Sequence, residues 1–138
     1  MVARTDLQPE GKIVMDGVNA EMDLVSRVVD LFSEFVHCQN QKDLPGIQQC
    51  LHEGSVAAAV LLRNFEKMFD RFTLDIRIRA THFVGSEGDY AYCRVEQTIE
   101  KVTGPELANT EVENLAVFRR DHGAWKLWQC VPLVMRPL

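Results

Sequence analysis

The chain changes its hydrophobic period once. Up to about residue 72, apolar side chains recur at helical spacing, and from Thr73 onward they alternate with polar ones at the spacing of a strand. From Val18 to about Gln39, Met22, Leu24, Val25, Val28, Val29, Leu31, Phe32, Phe35 and Val36 fall on one half of a helical wheel. Asp23, Ser26, Arg27, Asp30, Ser33, Glu34 and His37 fall on the other. An apolar arc that wide predicts a long helix lying across a sheet, with Asn19 as its N-cap. The polar run from Gln39 to Lys42 separates it from a short second helix that starts at Asp43-Leu-Pro-Gly, turns Leu44, Ile47 and Cys50 or Leu51 inward, and stops at Gly54. Ser55 caps a third helix, to about Phe72, with Leu61, Leu62, Phe65, Met68, Phe69 and Phe72 on its inner stripe.

In the second half, Leu74, Ile76, Ile78, Ala80, His82 and Val84 share one strand face and Asp75, Arg77, Arg79 and Thr81 the other. After a turn over Gly85 to Asp89, a second strand from about Tyr90 to Val102 sets Ala91, Cys93, Val95, Gln97 and Ile99 against Tyr92, Arg94, Glu96, Thr98 and Glu100. Thr103-Gly104-Pro105 ends it. The third strand, about Thr110 to Arg120, sets Val112, Asn114, Ala116 and Phe118 against Glu113, Leu115, Val117 and Arg119, and neither face is clearly the polar one. Asp121-His122-Gly123 reads as a hairpin tip. The fourth strand then carries Trp125, Leu127, Gln129 and Val131 on one face and Lys126, Trp128 and Cys130 on the other, until Pro132 closes it. Three helices followed by an antiparallel meander predict an α+β domain over residues 18–134. Residues 1–17 lack a sustained period and read as a tail, or as an arm packed on a partner subunit. Residues 135–138 are the C-terminal end.

Composition narrows the class without changing this picture. The 138 residues suffice for one domain with a real core, and 46% hydrophobic with 25% charged residues is near the globular average. A net charge of -5 with interspersed signs argues against nucleic acid as a partner. No apolar run is long enough to span a membrane, and the first ten residues lack a signal-peptide core, so a cytoplasmic protein is expected. Cys38, Cys50, Cys93 and Cys130 have no C-x-x-C spacing and lie in apolar-periodic segments, which predicts buried free thiols.

The order of elements, together with the strand entry Gly88-Asp89-Tyr90-Ala91-Tyr92-Cys93-Arg94-Val95 and the hairpin Phe118-Arg-Arg-Asp-His-Gly-Ala-Trp-Lys-Leu127, resembles the nuclear transport factor 2-like superfamily. The similarity runs from about residue 18 to 131 and is greatest to its small ketosteroid isomerase-like and SnoaL-like members. It implies three helices packed on a curved antiparallel sheet, the cystatin-like cone, with a pocket at the open end. Family members usually have two short strands between the second helix and the helix entering the sheet, and only Gly54 to about Val60 is available for them here, so that wall is expected to be reduced. In the ketosteroid isomerase-like enzymes that region helps supply a general base beside a first-helix tyrosine, and this first helix has none. The catalytic set therefore does not carry over.

Four polar residues interrupt the rows taken as inward: His82, Gln97, Asn114 and Gln129. Buried polar groups need partners, so four on neighbouring strands bond each other, water or a ligand. They are candidates for the floor of a small-molecule pocket walled by Phe65, Phe69 and Trp125, with His82 as the one group suited to proton transfer near neutrality. The alternatives are a self-satisfied polar cluster and, for the phenylalanines, plain core. His37, His52 and His122 lie on a polar helix face, at a helix end and at the hairpin tip, while Asp89 and Asp121 are turn residues. Neither a metal nor a cofactor is predicted, since no histidine pair has ligand spacing. The outward sheet face mixes charges with aromatics and aliphatics, and family members commonly dimerise through it, so a homodimer centred on Tyr92, Leu115, Val117 and Trp128 is expected. Two classes of function remain. One is a domain binding a small hydrophobic molecule, as a carrier or as an enzyme of isomerase, cyclase or dehydratase type, and the other is a non-catalytic homodimeric interaction module.

Overall fold

A computed structural model describes residues 11–15, 22–104 and 109–138. Three helices, α1 (Met22–Asn40), α2 (Leu44–Cys50) and α3 (Val56–Phe69), pack on a curved sheet of β1 (Lys12–Met15), β2 (Thr73–Glu87), β3 (Tyr90–Thr103), β4 (Thr110–Asp121) and β5 (Ala124–Pro137). The strands lie in sequence order, each antiparallel to the next except β1, which runs parallel to β2. This is the expected α+β architecture. The missing early strands are reduced to one bridge, Leu51 to Leu127, beside which the His52 N–H donates to the Leu127 carbonyl at 2.9 Å.

The helix signals act as their chemistry requires. Asp43 accepts the Gly46 N–H at 3.0 Å, with Pro45 in the first turn where its missing donor costs nothing. Ser55 accepts the Ala58 N–H at 3.0 Å to start α3. The Asn19 cap falls outside the described residues. Leu24, Val25, Val28, Val29, Phe32, Phe35 and Val36 of α1 are buried, and Phe32 meets Phe118 of β4 edge-on at 6.4 Å. Asn40 clamps the last turn of α1 to the sheet, donating to the Ile76 carbonyl at 2.9 Å and accepting the Ile76 N–H at 2.8 Å.

Several segments depart from the sequence expectation. Within the expected tail, residues 12–15 form β1, with Val14 opposite His82 and Gly11 at φ 76° against the backbone of Arg79, where a Cβ would lie 2.6 Å from its carbonyl. The other tail residues lie outside the described ones. Strand β5 continues past Pro132 to Pro137, so the expected C-terminal end is mostly strand. Proline is tolerated there because β5 is a sheet edge and the β4–β5 register shifts next to it, between Glu113 and Asn114.

The register shifts also decide which side chains face the core. Between Ile78 and Ala80, β2 carries Arg79 as one extra residue against β3. Ile76 and Ile78 are buried toward the helices before that bulge, and Thr81 and Phe83 are buried after it. A second bulge at Trp128 sets Leu127 opposite Phe118 but Gln129 opposite Val117. Each extra residue inverts the alternation downstream and adds local bend to the sheet.

Candidate functional site

The inner face of the sheet brings together only two of the four polar candidates. Gln97 pairs across the strands with Val112, and Asn114 with Val95. These are neighbouring inward positions, and the Asn114 side-chain N–H donates to the Gln97 side-chain oxygen at 2.5 Å. Gln97 is buried and Asn114 half-buried, so the two carboxamides satisfy part of each other's needs. Gln129, expected beside them, is exposed on the opposite face because the Trp128 bulge turns it there.

His82 is likewise turned outward, by the Arg79 bulge. It pairs with Arg94, and its Nε2 lies 2.6 Å from Glu96 Oε2. It does not face the pocket as expected.

The aromatic wall is packed core. Phe65 stacks on Phe69 at 5.7 Å and 19° and meets Phe35 at 5.8 Å, while Trp125 packs against the same cluster with the Arg120 guanidinium 5.4 Å from its ring. Val28, Val95, Ala91, Ala116 and Phe118 each have 0% of their surface accessible, so the interior around them is filled by side chains.

A cleft of about 630 Å³ opens elsewhere, between α2, α3 and the β4–β5 hairpin. None of the expected pocket residues lines it. Its polar groups include His52, Asp121 and Lys126, and Pro45, Leu51, Ala58, Ala59 and Leu62 supply its apolar wall. The Leu51–Leu127 bridge staples the loop after α2 onto β5, and the Ser55 hydroxyl donates to the Trp128 carbonyl at 2.6 Å. This places the His52 ring edge-on to Trp128 at 5.0 Å. His52 Nδ1 accepts the Gly54 N–H at 3.0 Å, so the ring proton sits on Nε2. A Cβ on Gly54 would come within 3.1 Å of that ring, which is why a glycine suits the position.

His52 Nε2 points toward Asp121 Oδ2 at 3.5 Å, yet it is buried with no hydrogen-bond partner among the described residues. Lys126 donates to the Gln49 carbonyl at 2.5 Å on the rim. Sequence reading passed over His52 and Asp121 because each has an ordinary local job. Only the contact between the α2–α3 loop and β5 brings them together, and no spacing in the sequence announces it. No group of three or more His, Cys, Asp or Glu among the described residues is placed to hold a metal ion.

The outer sheet face carries an apolar strip between ion pairs. Tyr92 lies opposite Val117, and Leu115 opposite Val131, all half-buried in the single chain. Around them are the ion pairs Arg94–Glu113 at 3.1 Å and Arg136–Glu111, and the His82–Glu96 contact. Trp128 is on this side but is already covered, by the Arg119 guanidinium at 4.8 Å and by Tyr90 and His52 edge-on.

Three helices on this curved, mostly antiparallel sheet are the nuclear transport factor 2-like fold. A protein from Planctomyces limnophilus is 12% identical over 86% of this chain and 100% of its own, with a TM-score of 0.72. A nuclear transport factor 2-like protein of unknown function from Pseudomonas putida is 14% identical over 80% and 85%, at 0.68. A ketosteroid isomerase-like protein from Erwinia carotovora atroseptica is 15% identical over 83% and 99%, at 0.62. Identities this low carry the fold and not the activity. Within that class the chain belongs to the family of the C-terminal domain of anti-sigma-I factor RsgI9, whose model matches residues 32–137. No curated protein matches the chain in sequence.

Proposed function

We propose that this chain is a non-catalytic binding module that works as a homodimer through the outer face of its sheet. The observation that carries the reading is the apolar cluster of Tyr92 opposite Val117 and Leu115 opposite Val131, with Gln129 and the Arg94–Glu113 pair at its edges. An apolar centre with a polar rim is the composition of a protein interface. Leu115 and Val117 form its middle with Tyr92 beside them. Trp128, packed by its own chain, sits at the margin.

Two further points support the reading. The interior, where an isomerase of this fold would hold its substrate, is filled with side chains, and His82 is directed away from it. The matching family is the C-terminal domain of an anti-sigma-I factor. No described helix is long and apolar enough to cross a membrane, and the four free thiols suit a reducing, cytoplasmic compartment.

The test is a charge placed in the strip. In sedimentation velocity, Val117→Glu should run as a monomer with an unchanged circular dichroism spectrum while the wild type runs as a dimer. Equal sedimentation of the two would contradict the proposal. A second reading, small-molecule binding, is favoured by the cleft at His52.

A further inference from the structure

We infer that the strength of the dimer proposed above is set by pH through His82, so that it is tightest in mildly acidic solution and weakens as the solution turns alkaline. The inference rests on the outer-face dimer and adds its regulation.

The register across the sheet places the groups. One outer row runs His82, Arg94, Leu115 and Val131, each opposite the next on the neighbouring strand. His82 thus shares a row with the apolar cluster and is separated from it by Arg94 alone. The next outer row runs Ala80, Glu96, Glu113 and Val134. In it two carboxylates stand directly opposite each other, which is destabilising unless each finds a cation. Both partners come diagonally from the first row. Arg94 reaches Glu113 at 3.1 Å, and His82 Nε2 reaches Glu96 Oε2 at 2.6 Å.

The two partners differ in one respect. Arginine stays charged at any physiological pH, whereas histidine changes charge between about pH 5 and 8. Protonated, His82 completes two ion pairs for the two carboxylates. Neutral, its ring can still donate from Nε2, but two negative charges then face the single charge of Arg94. The other charged groups near His82 are Lys12 of β1, in register with Ala80, and Arg77 and Arg79 of β2. Arg77 is paired with Asp75 at 3.2 Å, and Arg136 is engaged by Glu111 in the row beyond. The three helices pack on the opposite face of the sheet.

Dimerisation turns this difference into regulation. In the single chain the side chain of Glu96 is 42% exposed and that of Glu113 22%, so water screens an unmatched charge. A second sheet packed on Leu115 and Val117 removes that water, and a carboxylate left without a cation then costs far more. Assembly therefore takes up a proton at each His82. By linkage the dimer is strongest on the acid side of the histidine range and loses strength as the pH rises through it.

The experiment measures the dimer dissociation constant by sedimentation at about pH 5.5 and about pH 8, the two sides of the histidine range, for the wild type, His82→Gln and Glu96→Gln, with circular dichroism confirming the fold of each. The wild-type dimer should be about tenfold weaker at the higher pH, its two sites each adding the modest share of a partly exposed ion pair. His82→Gln keeps an N–H donor without the charge and should hold the weaker constant at both values. Glu96→Gln removes the need for the charge and should hold the tighter constant at both. A wild type that dimerises equally at the two values would overturn the regulation and leave the dimer standing, whereas a wild type monomeric at both would remove the dimer with it. A pH dependence that persists unchanged in His82→Gln would also overturn the inference, because another group would then carry it.

Discussion

His82 Nε2 lies 2.6 Å from Glu96 Oε2 on the outer face of the sheet, one residue out of phase with the alternation that begins β2. The phase changes at Arg79, and with it His82 passes from the expected pocket floor to a contact with Glu96 on the outer face. Glu96 is 42% exposed, so solvent weakens the contact, while the His82 side chain, 17% exposed, adds some packing. His82→Ala should therefore lower the unfolding free energy by about 1 to 2 kcal/mol. Urea denaturation checks this. A much larger loss would mean that the contact is shielded from solvent.

Ser55 should matter more. Its hydroxyl both caps α3 and ties the helix start to the Trp128 carbonyl of β5, and the residue is buried. Ser55→Ala removes both bonds and leaves a buried N–H and carbonyl short of partners, at a cost of about 1 to 3 kcal/mol. A denaturation midpoint indistinguishable from the wild type would show that the cap and tie are not holding the loop.

Cys93 gives a pH-dependent test. Burial pushes its thiol from 9.0 up to about 12, since a thiolate there would be stripped of water. The unfolded chain releases this proton near pH 9 while the native chain holds it to about pH 12. Its contribution is thus fully present below pH 9 and is lost as the pH rises between those values. The stability difference between wild type and Cys93→Ala should move against the wild type over that interval, measured by urea denaturation at fixed pH values. A difference independent of pH would mean that the thiolate is solvated in the fold. Below pH 9 the same thiol should resist Ellman's reagent until the protein is unfolded.

The helices and the inner rows of β3 and β4 were legible because their periods run unbroken. Val95, Gln97, Val112 and Asn114 face inward as their alternation says. In β2 and β5 the alternation is legible only up to Arg79 and Trp128. A bulge is a property of two strands in register, and neither residue carries a local mark of one. That single cause moved both His82 and Gln129. Strand β1 was missed for a related reason, since four residues make a strand only by pairing with an edge that lies far along the chain. The His52–Asp121 corner was illegible altogether. Both residues have common roles where they stand, and only the docking of the α2–α3 loop on β5 gives them a joint one.

The most direct measurement is the mass of the wild-type protein by light scattering at micromolar concentration. The strip centred on Leu115 and Val117 predicts the mass of two chains, falling to one in Leu115→Glu. A wild type with the mass of a single chain across that range would contradict the homodimer.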